Sequence, residues 1–295
     1  QVLSFLENNK FPIVVKADGI AAGKGVSICH HYNEVVKISN EIFNGKFKSS
    51  KSLVLEEFLY GEEVSYFLIV DENSYSFFGT AQDHKRVGEK ETGLNTGGMG
   101  AYSPSPIINK NLEKKILKRI IIPTINALKK RKRPYTGFLY AGLMIKNNEP
   151  FLIEYNVRMG DPECQVILPR IKNDLGILIN ACANNKLKNF KIKWSKEKSM
   201  TIVLCAKGYP GNYKKNIIIK NLKKVKTDSK SIIFHAGTNT YKDKIISQGG
   251  RVLNITSLGN SFHEIRKKIH QIIKKINWTN GFFRKDIGWR VIRKL

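Results

Sequence analysis

Residues 16–25 read Lys16-Ala17-Asp18-Gly19-Ile20-Ala21-Ala22-Gly23-Lys24-Gly25. Clustered glycines let backbone N–H groups approach phosphate oxygens, and lysines neutralise the charge. The spacing is not that of a P-loop. Three residues separate Gly19 from Gly23-Lys24 where a P-loop has four, and Gly25 stands where a P-loop has Ser or Thr. Taken alone, the stretch reads equally well as a Gly-rich hairpin turn. Its flanks favour a turn between strands. Phe11–Lys16 carries Ile13, Val14 and Val15 and reads as a strand, with Val26–Cys29 as the return strand. Val2–Leu6 reads as the end of a helix, Glu34–Phe43 has roughly helical apolar spacing, and Leu53–Leu59 is a further strand running into Gly61. The opening segment is therefore expected to be a small α+β module.

Beyond it, Val64–Val70 and Ser76–Thr80 read as paired strands, followed by a long polar, Gly-rich loop from Gln82 to Ser105. A loop of that length is usually functional or disordered. Leu112–Lys130 has a helical pattern that Pro123 kinks or divides. Phe138–Ile145 and Pro150–Glu154 predict a hairpin around Asn147–Asn148, and Asp174–Ala183 predicts a helix. From Trp194 the chain becomes richer in lysine. Short strands are expected at Thr201–Ala206, Ile232–His235 and Arg251–Ile255. A final helix, His263–Asn277, places Ile265, Ile269, Ile272, Ile273 and Ile276 on one face.

The 295 residues carry a formal net charge of +27 with 41% hydrophobic content. That apolar fraction excludes wholesale disorder. No apolar run approaches the roughly 18 residues of a membrane span; Tyr66–Val70 and Thr201–Ala206 are strand-sized. The first residues show no basic-then-apolar signal pattern, so secretion is not expected, and the four cysteines are widely spaced without a CxxC. Reduced thiols in the cytoplasm are expected. The positive charge invites a nucleic-acid reading. The lysines are spread along the chain, however, and keep company with abundant Asn and Ile, whose codons share the same A/T richness. Compositional drift is the simpler account, and no nucleic-acid partner is expected.

Three further clusters carry chemistry. Leu55-Glu56-Glu57-Phe58-Leu59, with Glu62 and Glu63, is dense in acid for a chain so poor in it. Such acids accept hydrogen bonds from ribose hydroxyls or an exocyclic amine. In Glu154-Tyr-Asn156-Val-Arg158-Met-Gly160-Asp161-Pro162-Glu163, a strand would put Glu154 and Asn156 on one face. Two oxygen ligands beside phosphates suit Mg²⁺, which keeps several waters. Arg158 is expected to continue that face as a planar fork for a carboxylate or phosphate. Asp161 and Glu163 are candidates for receiving an ammonium group. In the long loop, Asp83-His84-Lys85-Arg86 sets a titratable His among charges. The run from Thr92 to Gly100, through Asn95, Thr96, Gly97 and Gly98, offers a backbone-rich anion cradle. Each cluster, by itself, is also consistent with a solvated turn.

The segments PIVVKADGIAAGKGV, LEEFLYGEEVS, QDHKRVGEKETGLNTGGMGAYSPSP, YTGFLYAGLMI and IEYNVRMGDPECQ together resemble the glycinamide ribonucleotide synthetase (phosphoribosylamine–glycine ligase) family. The match runs in order from about Phe11 to Asp174. It continues more weakly through Ala206-Lys-Gly-Tyr-Pro210, His235-Ala-Gly-Thr238 and Gly249-Gly-Arg-Val-Leu253. The resemblance implies an α+β ATP-grasp fold, two α+β lobes sandwiching ATP, followed by a small mixed α/β C-terminal domain. The expected boundaries are 1–60, 61–193 and 194–295. It implies ATP-dependent ligation of glycine to 5-phosphoribosylamine through a glycyl phosphate, an early step of de novo purine synthesis, by a monomer using Mg²⁺ or Mn²⁺. Position by position, it implies that Lys16, Gly23, Lys24 and Gly25 cover the phosphates. Glu56, Glu57, Phe58 and Leu59 line the adenine and Glu63 holds the ribose. Glu154 and Asn156 bind the metal. Asp83, Asn95, Thr96, Gly97, Gly98, Asp161, Pro162 and Glu163 bind substrate, and His84, Lys85 and Arg158 are catalytic.

Two features depart from the family's pattern. Phe138–Ile145 supplies no second metal carboxylate. The family also begins with a Rossmann-like domain that helps bind phosphoribosylamine, and no counterpart of it is found in these residues. The expectation is a fragment, impaired or inactive alone; equal turnover by a longer version would overturn it. The alternatives are another ATP-grasp carboxylate–amine ligase, told apart by activity with glycine, and a basic nucleic-acid-binding protein, told apart by steeply salt-dependent retention on DNA.

Overall fold

The computed structural model describes residues 1–19, 21, 25–47 and 50–292. They form two compact units, Gln1–Gly61 and Glu62–Leu295.

The first unit is built from helix α1 (Val2–Asn8), strands β1 (Ile13–Ala17) and β2 (Val26–Cys29), helix α2 (Tyr32–Phe43) and strand β3 (Leu53–Glu57). The sheet order is β2-β1-β3, all antiparallel. Ile13 and Val15 alternate onto the buried face, where Leu6, Cys29, Val35 and Ile42 complete a small core. The expected strand–turn–strand pairing around the Gly-rich segment is present. Val15 lies opposite Ser27 and Leu55.

The second unit continues with β4 (Glu62–Val70), β5 (Tyr75–Asp83), β6 (Arg86–Gly88), β7 (Thr92–Asn95) and β8 (Gly100–Ser103). Helices α3 (Lys110–Ile116) and α4 (Ile122–Lys130) lead to β9 (Gly137–Lys146), β10 (Glu149–Asn156), α5 (Cys164–Ile167) and α6 (Leu175–Ala183). Then follow β11 (Lys198–Ala206), β12 (Ile217–Ile218), β13 (Ser231–His235), β14 (Thr238–Tyr241), β15 (Lys244–Ser247), β16 (Arg251–Gly259), α7 (Phe262–Lys275), β17 (Gly281–Phe282) and α8 (Trp289–Ile292). One antiparallel sheet runs β10-β9-β4-β5-β8-β11-β16-β13, with β17 on β11. A small sheet, β12-β15-β14, stands apart from it.

β4 explains the apolar run Tyr66–Val70. Val64, Tyr66, Leu68 and Val70 pack against Leu112, Ile116 and Ile125 of α3 and α4. Phe67 and Ile69 pack on the other face against Val166, Ile167, Leu178 and Cys182. A strand covered on both faces needs apolar side chains at every position. The helical stretch ahead of Pro123 widens into a π turn at Leu117–Ile121, so the residue without an N–H is accommodated without ending the helix.

The segment from Gln82 to Ser105 differs from the expected loop. β5 extends through Asp83, β6 and β7 form a short hairpin, and Gly100–Ser103 is a fully buried strand bridging β5 to β11. Gly100 is required there, because a Cβ would lie 2.7 Å from the Thr201 carbonyl oxygen. Small and polar residues hid this strand from an apolar-alternation reading. Through it, β11 and β16 join the same sheet as β4 and β9.

The isoleucine face of α7 is in the core: Ile265, Ile269, Ile272 and Ile273 are buried with Val203, Val252 and Ile255. All four cysteines are free thiols. Among the described residues no helix is long and apolar enough to cross a membrane. Ile269, fully buried at the centre of the α7 stripe, supplies a test of this packing. Ile269→Ala is expected to destabilise the protein by about 2–5 kcal/mol. Exposed Lys275→Ala on the same helix should stay within about 0.5 kcal/mol in urea denaturation.

Candidate active site

The register of the second unit puts the chemistry on one face of its sheet. Glu154 lies opposite Gly142, Gly142 opposite Ser65, and Ser65 opposite Ala81. Directly opposed residues share a face, and so do residues two apart along a strand. Glu154, Asn156, Tyr140, Glu63, Ser65 and Asp83 therefore line a single surface.

At its centre is a half-buried charge cluster. Lys85 Nζ meets Glu63 Oε1 at 2.8 Å, and Gln82 Nε2 donates to the Glu63 carbonyl at 3.0 Å. Glu163 is almost fully buried. Its Oε1 accepts from Ser65 Oγ at 3.1 Å and from Tyr140 OH at 3.2 Å. Burial pushes Asp83 up to about 8, against the pull of Lys85 and helped by the neighbouring Glu163 and Glu63 charges. Burial raises Glu163 as well. Burial works against the Lys85 ammonium, yet Asp83 and Glu63 outweigh it and hold that group well above the ordinary lysine value. The cluster thus holds carboxyls reluctant to ionise until a further cation arrives.

The predicted cradle is arranged differently. Thr96 N–H donates to the Lys85 carbonyl at 2.7 Å, Gly98 N–H to Thr96 Oγ1 at 3.0 Å, Met99 N–H to the His84 carbonyl at 2.8 Å, and Gly97 N–H to Tyr209 OH at 2.9 Å. Three of these N–H groups hold the loop's own shape and the fourth is taken by Tyr209, so they are not open for an anion. Gly98 has φ of +113°, and a Cβ there would stand 2.4 Å from Pro162 Cδ. The Asn95–Gly98 loop and the Asp161-Pro162 turn are thereby packed together. Asn95 itself is exposed on β7.

Arg251, at the start of β16, clamps that junction. Its Nη1 donates to the Gly97 carbonyl at 2.6 Å and to the Asp161 carbonyl at 2.7 Å, while Nη2 meets Asp161 Oδ2 at 2.9 Å. Asp161, read in the sequence as an ammonium acceptor, is occupied by this guanidinium and by Gln165. The sequence reading did not single out Arg251 or Tyr209. The signal was there, since both fall in the weakly matching segments 206–210 and 249–253.

His84 is placed away from the reacting surface. Its side chain is fully buried, Nδ1 is 2.7 Å from Glu91 Oε1, and Nε2 accepts the Gly288 N–H at 3.0 Å. An amide can only donate, so Nε2 is the acceptor and Nδ1 carries the proton. Burial lowers the imidazole's basicity. His84 therefore positions its neighbours Asp83 and Lys85 rather than shuttling protons. Glu91 is held below the ordinary glutamate range: burial opposes ionisation, but hydrogen bonds from His84 and Arg284 outweigh it. Arg284, fully buried, also pairs with Asp286 at 2.8 Å and donates to the Arg86 carbonyl at 2.9 Å. This network was invisible in the sequence, because a buried arginine looks like any of the 51 Lys and Arg.

On β10, Asn156 Nδ2 donates to Glu154 Oε1 at 3.1 Å, which places both side chains together on the open side of the sheet. A register shift between Leu152 and Glu154 sets which face they take. Two hard oxygen donors, one of them anionic and exposed, fit a cation that completes its shell with phosphates and water. Among the described residues no group of three His, Cys, Asp or Glu could hold a metal alone. Arg158 does not continue this face. The strand ends at Asn156, and the exposed Arg158 donates to the adjacent Met159 carbonyl at 3.0 Å.

In the first unit, Lys16 on β1 pairs with Glu56 on β3 at 2.5 Å. Gly25 is buried, and a Cβ there would lie 2.6 Å from Ala21 Cβ. Glu57 is exposed, Leu59 is half-buried, and half-buried Phe58 stacks edge-on with Tyr60 at 4.8 Å. Gly23 and Lys24 lie outside the described residues.

The ATP-grasp (A) domain of phosphoribosylglycinamide synthetase matches residues 1–164, and the C domain of the same enzyme matches residues 199–290. The chain belongs to the phosphoribosylglycinamide synthetase family. It is similar to the phosphoribosylamine–glycine ligase of Brucella melitensis, 42% identical over 292 residues, covering 99% of this chain and 68% of that protein. The Vibrio vulnificus ligase is 43% identical over 295 residues, with the same two coverages. Among solved structures, the synthetase-family ligase of Thermotoga maritima superposes with a TM-score of 0.84 at 32% identity, covering 97% of this chain and 71% of that one. A biotin carboxylase domain from Hydrogenobacter thermophilus, solved with MgADP and bicarbonate, has a TM-score of 0.70 at 13% identity and covers 95% of this chain and 60% of that one. At that identity it shows the fold alone, which is the ATP-grasp fold.

The buried His84 makes stability in this synthetase-family chain depend on pH. A base with a lowered folded-state value contributes stability that is present above its unfolded value, about 6.5, and lost as pH falls through the folded one. Asp83 and Glu163, with raised values, act in the opposite sense. In urea denaturation at pH 7.5 and 5.0, His84→Gln is therefore expected to lose less stability on acidification than the parent. An equal loss would show that His84 does not resist protonation.

Proposed function

We propose that the chain carries out the ATP-dependent ligation of glycine to 5-phosphoribosylamine. The products are glycinamide ribonucleotide, ADP and phosphate, in de novo purine synthesis. The observation that carries the reading is the shared face on which Glu154 and Asn156 stand beside the Asp83, Lys85 and Glu163 cluster, within a chain of the synthetase family.

In this reading a glycine carboxylate oxygen bonds to the γ-phosphorus of ATP and ADP leaves. The phosphoribosylamine nitrogen then bonds to the glycyl carbonyl carbon, phosphate leaves, and the nitrogen gives up a proton. Glu154 and Asn156 hold Mg²⁺ or Mn²⁺. When bound, the ion neutralises charge on the phosphates. Lys85 lies beside the carboxylates as the cation for the acyl phosphate, and Asp83 and Glu163 receive the glycine ammonium. The incoming ammonium would shift both carboxyls toward ionisation, as an opposite charge favours the charged form. Arg251 holds the Asn95–Gly98 loop on the Asp161-Pro162 turn, which closes one side of the cluster to water. Lys16, Gly23, Lys24 and Gly25, with Glu56 to Leu59, are the nucleotide contacts of the first unit, and Glu63 that of the second. A cytoplasmic setting accompanies soluble substrates of this kind.

Calorimetric ATP binding, with and without Mg²⁺, tests the reading. Binding is expected to require the metal and to weaken at least tenfold, about 1.4 kcal/mol, in Glu154→Ala. Phosphate release should then depend on both glycine and phosphoribosylamine. That assay would be run on the chain alone and extended by the part of the Thermotoga maritima relative that it does not cover. Metal-independent binding, or release stimulated by another amino acid but not by glycine, would sink it.

A further inference from the structure

Helix α7 carries a second stripe besides its isoleucines. Positions 263, 266, 267, 270, 271 and 274 recur at helical spacing, and they include Arg266, Lys267 and Lys274 with His263 and His270. Like charges three and four residues apart repel, and solvent screening is their usual relief. Here the stripe instead walls a cavity of about 700 Å³, whose lining also includes Lys285, Trp289 and Ile292.

The lysine charge in this cavity is not matched by ion pairs among the described residues. Lys268, on another side of α7, is paired with Asp228 at 2.5 Å, and Lys230 with Glu197 at 2.6 Å. Lys267, Lys274 and Lys285 make no ion pair among the described residues. Two acids also line the cavity, Asp286 and Glu89. Asp286 is committed to Arg284 at 2.8 Å and to the Lys90 N–H at 2.8 Å, and Glu89 accepts the Lys285 N–H at 3.2 Å. The cations converge closely enough to act on one group. Burial, then the charges of Arg266, Lys274 and Lys285, hold the His270 imidazole below its ordinary value. The His270 Nε2 atom is itself buried without a hydrogen-bond partner among the described residues.

We propose that this cavity binds a small phosphorylated molecule, a compact polyanion with two or more adjacent negative charges. Lys267 and Lys274 of α7 and Lys285 of the turn before α8 supply the charge. The Trp289 and Ile292 surfaces take the organic body. The volume exceeds what a lone inorganic phosphate fills. A concave site with acids among its lining residues suits a compact ligand better than an extended nucleic-acid backbone, which needs a continuous basic track.

The experiment is titration of the full chain with inorganic pyrophosphate by calorimetry, at low salt and without divalent cations. Saturable binding is expected, weakened at least tenfold in the Lys274→Ala/Lys285→Ala double variant and retained in Lys274→Arg/Lys285→Arg. Glu154→Ala should bind as the parent does, because that residue lies on β10 and outside the cavity. Both lysines are exposed, so an unchanged thermal midpoint is expected to confirm folding. Equal binding by the alanine double variant, loss in Glu154→Ala, or no saturable binding would overturn the proposal. So would a single-stranded oligonucleotide that binds through the same lysines more tightly than pyrophosphate, since that would mark a nucleic-acid surface.

Discussion

One guanidinium holds three oxygens at the junction on which the candidate site depends. Arg251 reaches from the start of β16 to the carbonyls of Gly97 and Asp161 and to the Asp161 carboxylate. The planar fork can satisfy these acceptors together, whereas a lysine ammonium would act as a point charge. The contact joins residues separated by 154 and 90 positions in the chain. It explains why Gly97 bears no side chain, because a Cβ there would press on the guanidinium at 2.8 Å. It also explains why the last third of the sequence matters to chemistry carried by the middle third.

A second, more deeply buried arginine does the same work beneath the site. Arg284 binds Glu91 and Asp286, Glu91 binds His84, and His84 accepts from Gly288. Breaking a buried pair by removing one partner typically costs about 3–5 kcal/mol, because it strands the other charge. The network is therefore better understood as fixing one arrangement than as adding net stability. What it fixes is the backbone that presents Asp83 and Lys85, the two neighbours of His84.

The cluster so presented is electrostatically unsettled on its own. Asp83 and Glu163 are both pushed toward the neutral form, with Lys85 the cation set against them. Groups held away from their ordinary values by burial and by one another are characteristic of functional sites. Glu154 and Asn156, the pair proposed to hold a metal, lie on the same face, with Glu154 exposed and Asn156 half-buried.

Much of the architecture was legible in the sequence because local rules decide it. Short, strand-sized apolar runs marked β1, β4 and β9. The Asn147–Asn148 turn, where both residues take positive φ, marked the β9–β10 hairpin. Helical spacing marked α7. The pairing of Glu154 with Asn156 followed from the two-residue period of a strand alone. The buried strand Gly100–Ser103 was not legible, because a single tyrosine among glycine, alanine and serine gives no apolar alternation, and only the strands on either side make it a strand. The fates of His84, Asp161 and Arg158 were decided at the same level. Whether a charged or titratable group is a reagent, a clamp or a structural post depends on what surrounds it, and the deciding partners of Asp161 and His84 include Arg251 and Gly288, 90 and 204 residues away. Sequence determined which residues stand side by side along each strand and helix. Tertiary structure alone decided which of the charges are buried, because burial depends on where distant segments meet, and burial sets the chemistry each can perform.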